Sequence, residues 1–238
     1  MKSILVPVES NDLIDSTLET AWRLASHVGG HIEGFALSAL PDPFITPDSM
    51  TGAMVYEATV SANGDIAREA HEAFVAAMER RSAEAAGVTI DWLEEGPHGD
   101  SFVGTRGRVF DVIVLGRPTA SATGPRRATL EAALFDSGRP VLIAPPEPPT
   151  TFGEVVTVAW NKSAETARTV AFALPLLHRA KRTVIVAMEG GHVPGPSGED
   201  LARYLGRNGI ATELLRIDKS PGRGMGIAIL EKAAEYGS

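Results

Sequence analysis

The sequence alternates short apolar runs with amphipathic segments, and this alternation limits its possible folds more than any other feature. The apolar runs of the first half are too short for buried helices and are predicted to be strands. They are Ser3–Val8, His31–Leu37, the alternating segment Val88–Trp92, Val112–Leu115 and Val141–Ala144, of which the last two are expected to be buried. Five strands that alternate with helices predict an α/β fold with a doubly wound parallel sheet of the nucleotide-binding type.

Apolar residues at three- and four-residue spacing predict the helices between these strands. The first follows the polar cluster Glu9–Asp12 and ends near Val28, where Gly29-Gly30 supplies a C-terminal cap. Ser38–Thr59 contains three prolines and is predicted to be a long loop, so the second helix is expected to begin at Asp65. The segment Gly96–Asp100 is predicted to be a loop that leads into a short third helix.

The pattern begins again after a proline-rich stretch, which indicates a tandem repeat. Val155–Trp160 is a predicted strand, and Asn161–Ser163 is a capping cluster before the next helix. The predicted domains are 1–146 and 154–238, joined by a stiff linker at 147–153.

The second repeat ends before any counterpart of the last two strands of the first. We expect either that the chain is a truncated form of a longer tandem protein or that another chain completes this sheet. An open parallel sheet would otherwise expose apolar surface and an unpaired strand.

Composition excludes several classes of function. The chain has 22 basic and 30 acidic residues and a formal charge of −8, which argues against binding to nucleic acids or anionic membranes. It has no cysteine, so disulfides, thiolate metal sites and thiol catalysis are excluded. No histidine spacing predicts a metal site. No apolar run approaches the roughly 20 residues of a membrane span, and no signal peptide is evident, so we expect a cytoplasmic protein.

The stretch from Phe110 to Pro146 is the expected ligand site, because a strand there ends in Gly116 and opens into a loop before a helix. The loop Gly116–Thr129 contains three arginines and four hydroxyl side chains but no acid. One interpretation is an anion site built from guanidinium groups. The other is an exposed loop whose arginines pair with surface acids. The nearby His98 and Asp100 could form an acid–base pair, but adjacency in a Gly-Pro loop is weak evidence for catalysis.

The sequence resembles the universal stress protein family in its tandem form. The segments that carry the resemblance are SILVPVESNDLIDSTLETAWRLASHVGGHIEGFAL, FDVIVLGRP, GRPVLIAPP and VVTVAWNKSAETARTVAFALPLLHRAKRTVIVA. The resemblance implies the doubly wound fold and a dimer formed through the fifth strand. The unfinished second repeat independently predicts a homo-oligomer formed through the incomplete second sheet. The resemblance also implies a possible adenine-nucleotide site, since some members bind ATP and some do not.

The chain departs from the family's ATP-binding pattern, which is Gly-x-x-Gly, nine residues, and then Gly-Ser or Gly-Thr. Gly116 fits the first position, but Thr119 replaces the second glycine and Arg127-Ala128 stands where the final pair is expected. The family's ligand-facing Asp after the first strand is Glu9 here and Asn161 in the second repeat.

Matching positions place a base pocket at Pro7, Val8, Glu9 and Leu37, although these residues could equally be core strand ends. The candidate ligand-binding residues are Pro7, Val8, Glu9, Leu37, Gly116, Arg117, Thr119, Arg126, Arg127 and Thr129. The nucleotide expected there, if any, is ATP, ADP or AMP. The sequence therefore predicts a non-catalytic stress-response module with a degenerate adenine-nucleotide or anion site. The alternative is an ATP-binding or ATP-hydrolysing member of the same α/β class.

Overall fold

The structure, a computed structural model, describes residues 1–38, 50–82, 87–119, 121, 124–189, 194–218 and 224–238. The chain forms two compact units, Met1–Thr150 and Thr151–Ser238. The boundary between them falls inside the segment 147–153. No helix in the described ranges is long and apolar enough to cross a membrane.

The first unit is built on a parallel sheet of five strands. In chain order these are β1 (Ser3–Val8), β2 (His31–Leu37), β3 (Thr89–His98), β4 (Val112–Gly116) and β5 (Val141–Ala144). Their order across the sheet is β3-β2-β1-β4-β5. The predicted doubly wound fold is confirmed. The strand order reverses between β1 and β4, which is where such sheets leave a crevice at their carboxyl edge.

Among the described residues of this unit, four helices accompany the sheet: α1 (Ile14–Val28), α2 (Met50–Ser82), α3 (Asp100–Gly107) and α4 (Arg127–Asp136). The predicted apolar stripe of α1 is buried at Leu18, Ala21, Leu24, Ala25 and Val28. Gly29 ends α1 in the left-handed conformation, with φ of 62°. The prediction for this helix is confirmed at both its buried face and its end.

Two predicted boundaries in the first unit are wrong. The helix predicted from Asp65 begins at Met50, so the second half of the predicted loop Ser38–Thr59 is helical, whereas residues 39–49 lie outside the described residues. No proline follows Pro47 there, and a helix tolerates Gly52 at a cost of about 1 kcal/mol. The third strand runs to His98 instead of ending at Trp92, because a register shift lets His98 pair with Leu37.

The fifth strand was predicted to be buried, and this is wrong for most of its length. The four residues Val112–Leu115 of β4 are buried, but Val141, Leu142 and Ile143 are partly exposed and Ile143 is 43% exposed. The reason is its position in the sheet: within the part of the chain that the structure describes, β5 is an edge strand that pairs only with β4.

The second unit contains β6 (Val155–Trp160), α5 (Ala164–Leu177), β7 (Arg182–Glu189), α6 (Gly198–Arg207), β8 (Thr212–Asp218) and α7 (Met225–Glu235). Its three strands form a parallel sheet in the order β6-β7-β8. Ser163 caps α5 as predicted, since its side chain accepts a hydrogen bond from the backbone N–H of Thr166. The order β6-α5-β7 repeats β1-α1-β2 of the first unit.

Candidate functional site

The candidate site is a crevice at the carboxyl ends of β1 and β4, beside the start of α4. β1 pairs with β4 only at Ile4 and Leu5, whereas its pairing with β2 continues to Val8. Pro7 lies in the part of β1 that does not pair with β4, and proline has no backbone N–H to donate to a neighbouring strand. The two strands therefore separate beyond Leu5, and the crevice opens between them.

A carboxylate of the protein lies at the N-terminus of α4. Glu9 Oε1 accepts a hydrogen bond of 2.6 Å from Arg126 Nε, and Glu9 Oε2 accepts one of 3.2 Å from the Arg126 backbone N–H. Arg126 is the N-cap residue of α4, and its side chain accepts no hydrogen bond from the backbone N–H groups of the first turn. A negative charge at this end of a helix is stabilised by unpaired N–H groups and by the helix dipole.

Asp100 and Thr129 complete this group. Arg126 Nη2 lies 3.1 Å from Asp100 Oδ1, and Thr129 Oγ1 lies 2.6 Å from Asp100 Oδ1 and 3.1 Å from Glu9 Oε1. Thr129 is buried, and Glu9 is only 12% exposed. We call Glu9, Asp100, Arg126 and Thr129 the acid–arginine cluster. Two carboxylates and one guanidinium give it a formal charge of −1.

Close packing of α3 on α4 brings Asp100 to the cluster. A Cβ atom added to Gly104 of α3 would lie 2.5 Å from Asp136 Cβ of α4, so only glycine permits this approach. Asp100 is the first residue of α3 and directly follows the carboxyl end of β3. It was missed as a candidate binding residue, although its position after a parallel strand was a signal that could have identified it.

Gly116 has a packing role at the floor of the crevice. A Cβ atom added there would lie 2.6 Å from Pro125 Cγ and 3.0 Å from Thr17 Oγ1. Real Cβ atoms do not approach other atoms as closely as the first of these distances, and the proline ring cannot swing aside. The glycine therefore lets Pro125 cover the end of β4, in addition to any role it has toward a ligand.

The space left in the crevice is small. The cavity has a volume of about 20 Å³. That is room for roughly one water molecule, whereas pockets for small organic ligands are typically about 300–1,000 Å³. The cavity that the described residues enclose is thus far smaller than an adenine nucleotide.

The structure brings together six of the ten candidate ligand-binding residues: Pro7, Val8, Glu9, Gly116, Arg126 and Thr129 line the cavity. Leu37 is buried in the hydrophobic core, and Arg117 and Thr119 are exposed. Arg127 is 85% exposed and pairs with Glu131 one helical turn later. Arg127 pairs with an exposed acid, as in the interpretation of an exposed loop, whereas Arg126 pairs with Glu9, which is nearly buried.

The side chains of His98 and Asp100 make different kinds of contact. The His98 ring stacks on Phe102, with ring centres 3.8 Å apart, whereas the Asp100 carboxylate contacts Arg126 and Thr129. The described residues contain no cluster of three or more His, Asp or Glu side chains that could hold a metal ion.

The corresponding position of the second unit is organised differently. Asn161, which stands where the first unit has Glu9, accepts hydrogen bonds from the Ser163 backbone N–H and from Thr166 Oγ1. Its amide oxygen thus stabilises the turn into α5. A larger cavity of about 270 Å³ in this unit is lined by residues that include Lys162, Ser197 and the ion pair between Glu199 and Arg216.

No protein-family model matches the chain, and no curated protein matches it in sequence. Several solved structures are similar to the chain in fold. A universal stress protein from Archaeoglobus fulgidus DSM 4304 is 17% identical, with 99% of this chain and 84% of that chain covered and a TM-score of 0.63. The cytoplasmic domain of a prokaryotic cation chloride cotransporter is 11% identical, with 94% and 81% covered and a TM-score of 0.52.

Universal stress protein UspA from Lactobacillus plantarum is 21% identical, with 60% of this chain and 97% of that chain covered and a TM-score of 0.38. The Archaeoglobus fulgidus DSM 4304 structure, with its TM-score of 0.63, confirms the resemblance to universal stress proteins at the level of the fold. The chain has the α/β fold of the universal stress proteins.

Proposed function

We propose that this protein is a non-catalytic stress-response module whose nucleotide site in the first unit is degenerate and closed by the protein's own side chains. One observation carries the proposal: the Glu9 carboxylate occupies the N–H and guanidinium donors at the start of α4. These are the groups that would otherwise receive a phosphate.

The charge of the cluster supports the same conclusion. An incoming triphosphate would meet the carboxylates of Asp100 and Glu9, and Arg126 already forms ion pairs with both. Arg127 does not offset this charge, because its side chain pairs with Glu131 and is exposed. Catalysis of phosphoryl transfer requires groups that position the phosphates and stabilise their negative charge. The negatively charged acid–arginine cluster does neither.

Calorimetric titration of the wild-type protein with ATP, ADP and AMP, after removal of any co-purified nucleotide, tests the proposal. We expect no measurable heat of binding and no ATP turnover above background. Saturable binding of any of the three would reject the closed site and support the ATP-binding alternative. Turnover that an Arg126→Ala change abolishes would support an enzyme.

We also propose that the protein forms a cytoplasmic homodimer through an exposed strand edge. β5 supports this, because it has one neighbour in the sheet and exposes Ile143. The edge of β6 is the second candidate, since β6 pairs only with β7 in the described part of the second unit. Light scattering coupled to size-exclusion chromatography tests this, and a monomer at all concentrations would reject it.

A further inference from the structure

We infer that Glu9 is a built-in ligand: its carboxylate takes the place of a small oxyanion at the start of α4 and keeps the first unit's site closed. This inference rests on the proposed function and assigns the closure to one side chain. It also names the chemical class that the site would take without that side chain, which is a small oxyanion such as inorganic phosphate or acetate.

The donors around Glu9 are those of an anion site. Its two carboxylate oxygens contact the Arg126 backbone N–H, Arg126 Nε and Thr129 Oγ1. A helix N-terminal N–H, a guanidinium and a hydroxyl together make a frequent set of donors to phosphate and carboxylate groups. Glu9 therefore satisfies the Arg126 backbone N–H and Nε without any ligand. The single hydroxyl proton of Thr129 is shared with Asp100 Oδ1, which is closer, and Arg126 Nη2 makes no hydrogen bond to the described residues.

The Glu9 side chain reaches these donors from a different element. Glu9 directly follows β1, and its carboxylate spans the crevice to the first residues of α4. The contact is intramolecular and is held in place by the sheet, so a free anion must compete with a tethered one at high effective concentration. Anions at ordinary solution concentrations are therefore excluded from the wild-type site.

The electrostatic balance permits a one-for-one exchange. Asp100 contacts Arg126 and Thr129 directly, so we expect these contacts to remain when Glu9 is replaced. A monoanion in place of the Glu9 carboxylate therefore leaves the formal charge of the cluster at −1. The cavity adds only about 20 Å³ to the space that the Glu9 side chain vacates, which favours a small oxyanion over a nucleotide.

The test is a chemical rescue of Glu9→Ala, which removes both the carboxylate and its volume. Thermal unfolding is measured in sodium phosphate, sodium acetate and sodium chloride at equal ionic strength, and phosphate binding is measured by calorimetry. We expect phosphate and acetate to raise the melting temperature of Glu9→Ala relative to chloride. We also expect Glu9→Ala to bind phosphate at least about tenfold more tightly than the wild type does, as expected for the donors it frees.

Three controls make the result specific. Glu9→Gln removes the charge but fills the same space, so it should show no rescue. Glu9→Ala combined with Arg126→Ala removes the main donor and should also show none. Glu9→Ser opens the same space with a polar group and replaces Glu9→Ala if that variant does not fold.

The outcomes separate this inference from the proposed function. If neither Glu9→Ala nor Glu9→Ser responds to oxyanions differently from the wild type, the built-in ligand is rejected, while a wild type without nucleotide binding leaves the proposed function intact. If the wild type and Arg126→Ala bind nucleotide equally well, and the Glu9 variants still gain phosphate binding that requires Arg126, the proposed function fails and the role of Glu9 stands. Nucleotide binding by the wild type that Arg126→Ala abolishes would reject both.

Discussion

Replacing Arg126 with alanine is the most direct perturbation of the acid–arginine cluster. The change removes the hydrogen bond from Nε to Glu9 and the ion pair with Asp100, and it leaves two carboxylates facing each other. Hydrogen bonds to charged groups contribute about 1.5–3 kcal/mol, and exposed ion pairs contribute about 0–1 kcal/mol. Arg126 is 34% exposed, between these limits, so we expect a loss of about 2 kcal/mol in the free energy of unfolding.

A loss of that size should lower the melting temperature of the first unit by roughly 4–8 °C, given its length of about 150 residues. Differential scanning calorimetry measures the shift, and hydrogen exchange of α3 and α4 shows that the loss is local. Arg127→Ala is a matched control. It removes a guanidinium one residue later, but that side chain is exposed and makes a pair between i and i+4 that contributes about 0.3–0.5 kcal/mol.

Equal melting temperatures for Arg126→Ala and Arg127→Ala would show that the cluster contributes no more than a surface ion pair. A double-mutant cycle of Glu9→Gln and Arg126→Ala isolates the pair itself. We expect a coupling energy of about 1 kcal/mol or more for residues in direct contact, and additive effects would contradict the contacts described here.

Three further predictions concern other parts of the chain. Asp111 accepts hydrogen bonds from the Lys2 and Ser3 backbone N–H groups, and these contacts, that of Lys2 foremost, lower the pKa of its carboxyl group. A lowered pKa gives stability that is present above the unfolded pKa of about 3.9 and is lost as the pH falls through the folded pKa. Asp111→Asn should therefore lower the free energy of unfolding by about 1 kcal/mol at pH 7, a value reduced for the exposure of this side chain. Urea titrations should show a progressively smaller loss below about pH 4. Ser197→Ala removes the N-cap of α6 and should cost the second unit about 1 kcal/mol, measured by Trp160 fluorescence during denaturation. Gly116→Ala should destabilise the first unit by about 1–3 kcal/mol through overpacking, whereas Gly64→Ala, in an open position of α2, should stabilise it by about 0.5–1 kcal/mol in the same thermal assay.

The strands were predictable from sequence because each is a local pattern. The apolar runs of β1, β4 and β6 mark their strands to within about one residue. The burial of β5 was not predictable in the same way, since its four apolar residues look like those of β4. Only the order of strands in the sheet, which depends on contacts between distant segments, makes β5 an edge strand.

The location of the crevice was predictable from the sequence, but the contacts inside it were not. The carboxyl ends of β1 and β4 follow from the α/β pattern, and Arg126 and Thr129 lie in the loop and helix that were expected there. The loop itself contains no acid, which favoured an anion site as much as ion pairing. Its acids come from Glu9 and Asp100, far away in sequence, and only the fold shows that they meet Arg126.

The departures from the ATP-binding pattern are coupled through these contacts. Glutamate in place of the family's Asp adds one methylene group, and the longer side chain contacts the backbone N–H of Arg126 at the start of α4. The positive charge of the Arg126 side chain favours this contact. A bound phosphate would place a second anion on the donors that Glu9 already uses. If Glu9 closes the site as proposed, a flexible glycine loop has no phosphate to receive there. We therefore expect that restoring glycine at Thr119 and Arg127 alone would not create nucleotide binding, measured by calorimetry with ATP. We expect nucleotide binding only in variants that also replace Glu9. ATP binding by the glycine variants with Glu9 intact would contradict this expectation.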